Sequence, residues 1–148
     1  MISLEISGRQ SFVDLLVMSQ DLQRGLSRVV AGVARTVLSD WRSSLGYGGV
    51  TTQAQRRGAG ARHSRPGGPP ASQSGELARS GVVRPVRGDP LSRRVVMGAF
   101  YGRFLESGTQ FAPAYPSLVP ARDRHVDELE QGVLAAIDEA GQKWERGA

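Results

Sequence analysis

Two stretches of helical periodicity, one toward each end of the chain, constrain the fold more than anything between them. Leu22, Leu26, Val29, Val30, Val33, Val37 and Trp41 step by three or four, while Gln23, Arg24, Ser27, Arg28 and Arg35 fall on the other side. That spacing predicts an amphipathic helix of about six turns. Ser19 or Asp21 is the expected N-cap, and Gly46, Gly48 and Gly49 stop the helix near Leu45. A second series, Val126, Leu129, Val133, Ile137, Ala140 and Trp144, runs toward the C-terminus. Its acids Asp123, Asp127, Glu128 and Glu130 come early and Lys143 and Arg146 late, as the helix dipole prefers. Pro120 is placed to open it.

The rest of the chain reads as short extended pieces and loops. Ile2, Leu4 and Ile6 alternate with Ser3, Glu5 and Ser7, the period of a half-buried strand that Gly8 ends. Residues 12–18 fit a buried connector or a short helical turn equally well. Residues 46–74 are dense in Gly, Arg, Pro, Ser and Gln, and bury too little to offset their ordering entropy, so a long flexible loop is expected. Glu76–Ser80 fits a helical turn. Val82, Val83 and Val86 suggest one strand and Arg94 to Ala99 a second, joined through Gly88 and Pro90 in a hairpin turn over Arg87–Ser92. Phe100, Phe104 and Leu105 can share one face of a short helix, with Gly108 at its C′ position. Pro113, Pro116 and Pro120 favour extended backbone from Gln110 onward. The expected class is α+β: long N-terminal and C-terminal helices packed on a small, mainly antiparallel sheet, in one domain spanning 1–148.

Charge is unevenly spread. The net charge is +5, but residues 41–94 carry ten arginines against only Glu76 and Asp89, for +8, whereas the tail from Arg122 carries four bases and seven acids, for −3. High Arg and Gly usage also follows from a GC-rich genome, so composition alone decides nothing. There is no Cys, which excludes disulfides and thiolate metal sites, and only two histidines, His63 and His125, which leaves no metal or cofactor expected. No apolar run approaches the roughly 18 residues of a membrane span. The N-terminus lacks a basic-then-apolar signal pattern, so synthesis in a cytosol is expected, with use there or incorporation into a particle there.

The residues for catalysis are poorly placed. His125 lies among acids and reads as a solvated histidine on the exposed side of the last helix. His63 sits in the flexible loop, where nothing holds it at working distance. Ser74-Gly75 lacks the flanking pattern of a nucleophile elbow. Glu128 and Glu130 point to different helix faces. The glycines at 58, 60, 67 and 68 fit neither a phosphate loop nor a dinucleotide fingerprint. No enzymatic activity is expected. Arg87-Gly88-Asp89 spells an adhesion tripeptide, but a hairpin turn accounts for it better. Arg56, Arg57, Arg62 and Arg65 in a Gly/Pro segment could track a phosphate backbone without sequence preference, so a basic nucleic-acid-binding protein acting through residues 56–65 is one alternative. The loop lacks the interleaved aromatics of a single-strand binding surface.

The stretch from Phe100 to Ala121 reads FYGRFLESGTQFAPAYPSLVPA. It combines a short helix, a glycine stop and a proline-stiffened loop with aromatics at Tyr101, Phe111 and Tyr115. Such a segment, with little regular hydrogen bonding, is costly to hold alone and plausible when packed on a neighbouring subunit. Its arrangement resembles the HK97 gp10-like family of tailed-phage neck and tail-completion proteins. Tyr101, Gly102, Phe104, Leu105, Glu106, Gly108 and Thr109 fit the first part of that family's pattern. Pro116, Leu118, Pro120 and Ala121 fit the second, and Ser74 to Ser80 looks like the segment ahead of the hairpin. The family often has an aromatic where Ser117 stands and an Arg where Val119 stands. The resemblance implies a ring, six-membered in expectation, at the junction of head and tail, with a channel for DNA. Implied partners are copies of the chain itself, an adjacent head-side connector or head-closure protein, and the tail terminator or tail tube; the tail-terminator ring is itself an alternative identity. It places the chain in the virion neck, with no membrane partner. Tyr101, Phe104, Glu106, Phe111 and Tyr115 become candidate subunit contacts. Arg56, Arg57, Arg62 and Arg65 become candidates for facing genomic DNA non-specifically or docking on an adjacent ring.

Overall fold

The computed structural model describes residues 10–45, 67, 69–70 and 75–147. In chain order the elements are α1 (Gln10–Ser44), α2 (Glu76–Ser80), β1 (Gly81–Val86), β2 (Asp89–Met97), α3 (Gly102–Ser107), α4 (Leu118–Asp123) and α5 (Val126–Gly147). The class is α+β, as expected, with the two long helices and an antiparallel hairpin. The expected strand at residues 2–6 and the Arg/Gly/Pro loop lie outside the described residues, apart from positions 67, 69 and 70.

Helix α1 is central and is longer than its apolar spacing indicates. Residues 12–18 belong to it, and Ser19 and Asp21 are interior positions rather than caps. Asp21 has other partners: Lys143 of α5 binds its carboxylate, and Arg24 reaches it at 3.3 Å one turn on. No glycine or proline interrupts the chain between Gln10 and Arg24, so the helix continues through the polar stretch. It ends at Ser44, as the sequence indicates.

Helix α1 packs on two sides. Gly25 and Val29 meet Ala136 and Gly132 of α5, Asp40 binds Arg124 at 2.8 Å, and these α1 positions share one face at 100° per residue. Ser27, Leu38 and Arg42 lie on the opposite face and touch the hairpin or α2. The order of layers is therefore hairpin, α1, α5. The core lies on the hairpin side of α1, where Val37, Leu38, Trp41 and Leu45 close with Ala78 and Ala121. Trp41 is fully enclosed. Its ring lies against Gly81, where any Cβ would overlap it, so β1 begins on a residue with no side chain.

The hairpin is tighter than expected. β2 begins at Asp89 rather than Arg94, and Arg87-Gly88 alone make the turn, with Gly88 at φ 79°. Asp89 stabilises the reversal: its carboxylate accepts from the Leu91 N–H at 2.9 Å and from the Ser92 hydroxyl. Those bonds hold the Asp89 carboxyl below its ordinary value. A register shift after Pro85 accommodates the prolines near the turn.

Two expectations at the C-terminal half need correction. Phe100 does not share a face of α3: the Gly102 N–H bonds the Ala99 carbonyl at 2.9 Å, closing a turn that leaves Phe100 outside the helix and 83% exposed. Pro120 does not open the last long helix. It occupies the third position of α4, and a break at Arg124–His125 separates α4 from α5. Proline is tolerated there because the first-turn N–H groups have no partner inside the helix.

Candidate assembly surface

The connector from Gly108 to Ser117 is held by hydrogen bonds within its own turn, to α3 and to α1. Gly108 ends α3 with φ 73° and ψ −177°, a conformation essentially confined to glycine. A Cβ there would also sit 2.9 Å from the Ala114 nitrogen. The Thr109 Oγ1 then accepts from the Phe111 and Ala112 N–H groups, so residues 109–112 form a tight turn rather than the extended backbone expected from Gln110. The Tyr115 N–H donates to the Leu105 carbonyl at 2.7 Å, and Gly67 donates to Ala114 at 3.1 Å.

Glu106 completes the arrangement. Its Oε2 accepts from the Ser117 N–H at 3.0 Å and the Leu118 N–H at 3.2 Å, and Oε1 accepts from the Val119 N–H at 2.8 Å. The next residue is Pro120, which has no N–H. The four positions at the start of α4 are thus satisfied by one carboxylate and one imino acid, and the carboxylate also sits favourably at the positive end of the helix. Ser117, 3% exposed, accepts the Trp41 indole N–H at 2.9 Å and lies 3.3 Å from Glu106 Oε2 through its hydroxyl. Trp41, Ser117 and Glu106 therefore tie α1, the connector and α3 together.

Three phenylalanines in and beside this unit are exposed. Phe111 is 89% exposed, Phe100 83% and Phe104 42%. Arg103 stacks over the Phe104 ring at 4.5 Å from its centroid. Phe100 meets Tyr101 edge to face at 5.4 Å. Tyr101 and Tyr115 are half-buried, and burial followed by the charge of Glu76 pushes the Tyr101 hydroxyl pKa up. Of the five expected contact residues, Phe104 and Phe111 present open ring surface, while Glu106 is committed within the chain. Arg56, Arg57, Arg62, Arg65 and His63 lie outside the described residues.

His125 is not the solvated surface histidine expected. It stands at the α4–α5 break with its side chain 19% exposed. Its Nδ1 is 2.8 Å from Glu128 Oε2, and its Nε2 is 3.3 Å from Asp40 Oδ2 without hydrogen-bond alignment. The break in the helix, invisible in the apolar spacing, turns it inward. The last helix also departs from expectation in its packing. Ala136 and Ala140 are buried toward α1, but Val126, Ile137 and Trp144 of the periodic series stay about half exposed, as does Leu134. The apolar stripe is wider than the face α1 covers. Spacing by three and four identifies such a stripe but not how much of it a single partner helix hides.

Among the described residues no helix is long and apolar enough to cross a membrane, and no group of three or more His, Cys, Asp or Glu side chains could hold a metal ion. Compared with known protein families, curated proteins and solved structures, the chain matches none.

Proposed function

We propose that this chain is a structural virion protein of the head–tail junction of a tailed phage, one subunit of a ring that completes the tail or neck and joins tail to head around a DNA channel. The observation that carries the reading is the bond between Glu106 and the start of α4. The sequence resemblance rests on two short motifs, one ending in Glu106-Ser107-Gly108-Thr109 and one in Pro120-Ala121. Their residues form a single physical unit, in which the carboxylate of the first caps the helix that the second begins. That unit carries exposed phenylalanines on its outside, and aromatic anchors of this kind supply much of the energy of subunit contacts. The activity is geometric, with no chemistry performed. Neighbours in the particle are further copies, a head-side connector or closure protein, and the tail terminator or tube.

Electron microscopy of particles assembled without this protein tests the reading. Filled heads and finished tails that fail to join, and that join when the purified chain is added, are the expected result. Intact particles in its absence contradict the role.

A further inference from the structure

We infer that neighbouring subunits meet head to tail, with the outer face of the hairpin of one copy docking on the exposed stripe of α5 of the next. This contact rests on the ring reading above and specifies its surfaces. The hairpin's inner face, with Val83, Val95 and Met97, packs on the core below α1. Its outer face presents Val82 opposite Val96 and Arg84 opposite Arg94. Like charges directly across an antiparallel pair are unfavourable, and Arg84, Arg94 and the turn residue Arg87 are exposed with no ion pair among the described residues. From Glu76 to Met97 five arginines face two acids, a net +3.

Helix α5 is the complement. It carries six acids against Lys143 and Arg146, a net −4. At 100° per residue Val126, Leu134, Ile137 and Trp144 form a stripe about a quarter-turn from the buried face. Glu130 lies within that stripe, and Asp127, Asp138 and Glu145 border it on the side away from α1; none of these four has an ion pair among the described residues. One surface is apolar and cationic, the other apolar and anionic, and each leaves uncompensated charge that the other would neutralise.

Their placement excludes contact within one chain. The hairpin and α5 occupy opposite faces of α1, so a copy can satisfy one surface only with the opposite surface of another copy. That is a heterologous contact. Because the α5 stripe is offset from the hairpin–α1–α5 line, each copy is rotated relative to the last, so the row curves, closing into a ring where the rotation divides a full turn and winding into a helix where it does not. A duplex would offer the arginines phosphates, but it offers α5 nothing, so a second copy accounts for both surfaces.

Charge reversal in the full chain tests this by sedimentation and native mass. Arg84→Glu with Arg94→Glu, and separately Glu130→Lys with Asp138→Lys, should each weaken self-association at least tenfold while circular dichroism and the melting temperature stay near wild type. The chain carrying all four changes, and an equimolar mixture of the two double variants, should assemble again. Rescue of this kind guards against simple misfolding. If wild type forms a ring that both double variants also form, these surfaces are wrong while the ring reading stands. If wild type remains monomeric at every concentration, the contact is refuted, and the particle experiment decides the ring reading separately. If the Arg84/Arg94 reversal lowers affinity for duplex DNA and leaves the oligomer intact, the hairpin face is a nucleic-acid surface and the inference is overturned.

Discussion

The indole N–H of Trp41 donates to the Ser117 hydroxyl at 2.9 Å, linking positions 76 residues apart in a fully enclosed setting. The long N-terminal helix is thereby fastened to the aromatic connector at the point where α4 begins. Ser117→Ala leaves the indole N–H buried without an acceptor, which should cost about 1–2 kcal/mol, measured as a loss in urea-unfolding free energy. A Trp41→Phe, Ser117→Ala double variant should lose less than the sum of the two single losses, because once the indole is gone the second change orphans no donor.

Glu106 holds the other half of the same junction. Glu106→Gln retains the shape but removes the charge from a side chain that accepts three backbone N–H bonds, so a loss of about 2 kcal/mol is expected. Hydrogen exchange should show the amides of Leu118 and Val119 losing protection before those of α5. Uniform loss across both helices would mean that the cap is not local.

Gly108→Ala should be more damaging than its size suggests. The residue sits at φ 73° and ψ −177°, and the added Cβ would press on the Ala114 nitrogen. Strain of about 1–3 kcal/mol from the backbone alone, with the clash added, should lower the melting temperature by several degrees. A melting temperature unchanged within error would show that the connector can rearrange.

How much of this was legible in advance differs by residue. The series from Leu22 to Trp41 identified α1 because burial against a core repeats with the helix period. Its N-terminal extension was hidden, because a polar residue such as Asp21 looks the same as a cap or as the partner of Lys143, 122 residues away. Gly108 was readable as a helix stop, since glycine alone tolerates its backbone. The pairing of Glu106 with Val119 was not, because a long-range cap leaves no periodic trace. His125 was misplaced for a related reason: the break before Val126 changes which way it faces, and apolar spacing runs through that break unaltered.

The exposed phenylalanines separate folding from assembly. Phe100→Ser and Phe111→Ser alter side chains that are 83% and 89% exposed, so the unfolding free energy should change by less than about 0.5 kcal/mol. Association with purified tails should nevertheless weaken, read as a lower bound fraction in co-sedimentation. Unaltered tail binding by the double variant would remove these rings from the contact surface.

Acid should weaken the fold through two carboxylates. The hydrogen bond from Lys143 holds Asp21 below its ordinary value of 3.8, and the Ser92 hydroxyl does the same for Asp89. Both groups bind a proton less readily folded than unfolded. Their contribution is therefore fully present above 3.8 and is lost as pH falls through the lower folded values. Urea midpoints measured downward from about pH 6 should decline most steeply below about pH 4, and Asp21→Asn should flatten that slope. An unchanged slope in Asp21→Asn would exclude the Lys143 contact as its source.

The native mass of the purified full chain, taken with electron micrographs of the same sample, tests the central claim most directly. A single closed oligomer with a central channel, whose mass is a whole multiple of the chain and which attaches to tail ends, is the predicted result. A monomer that never associates with tails and binds DNA tightly in moderate salt would contradict the account.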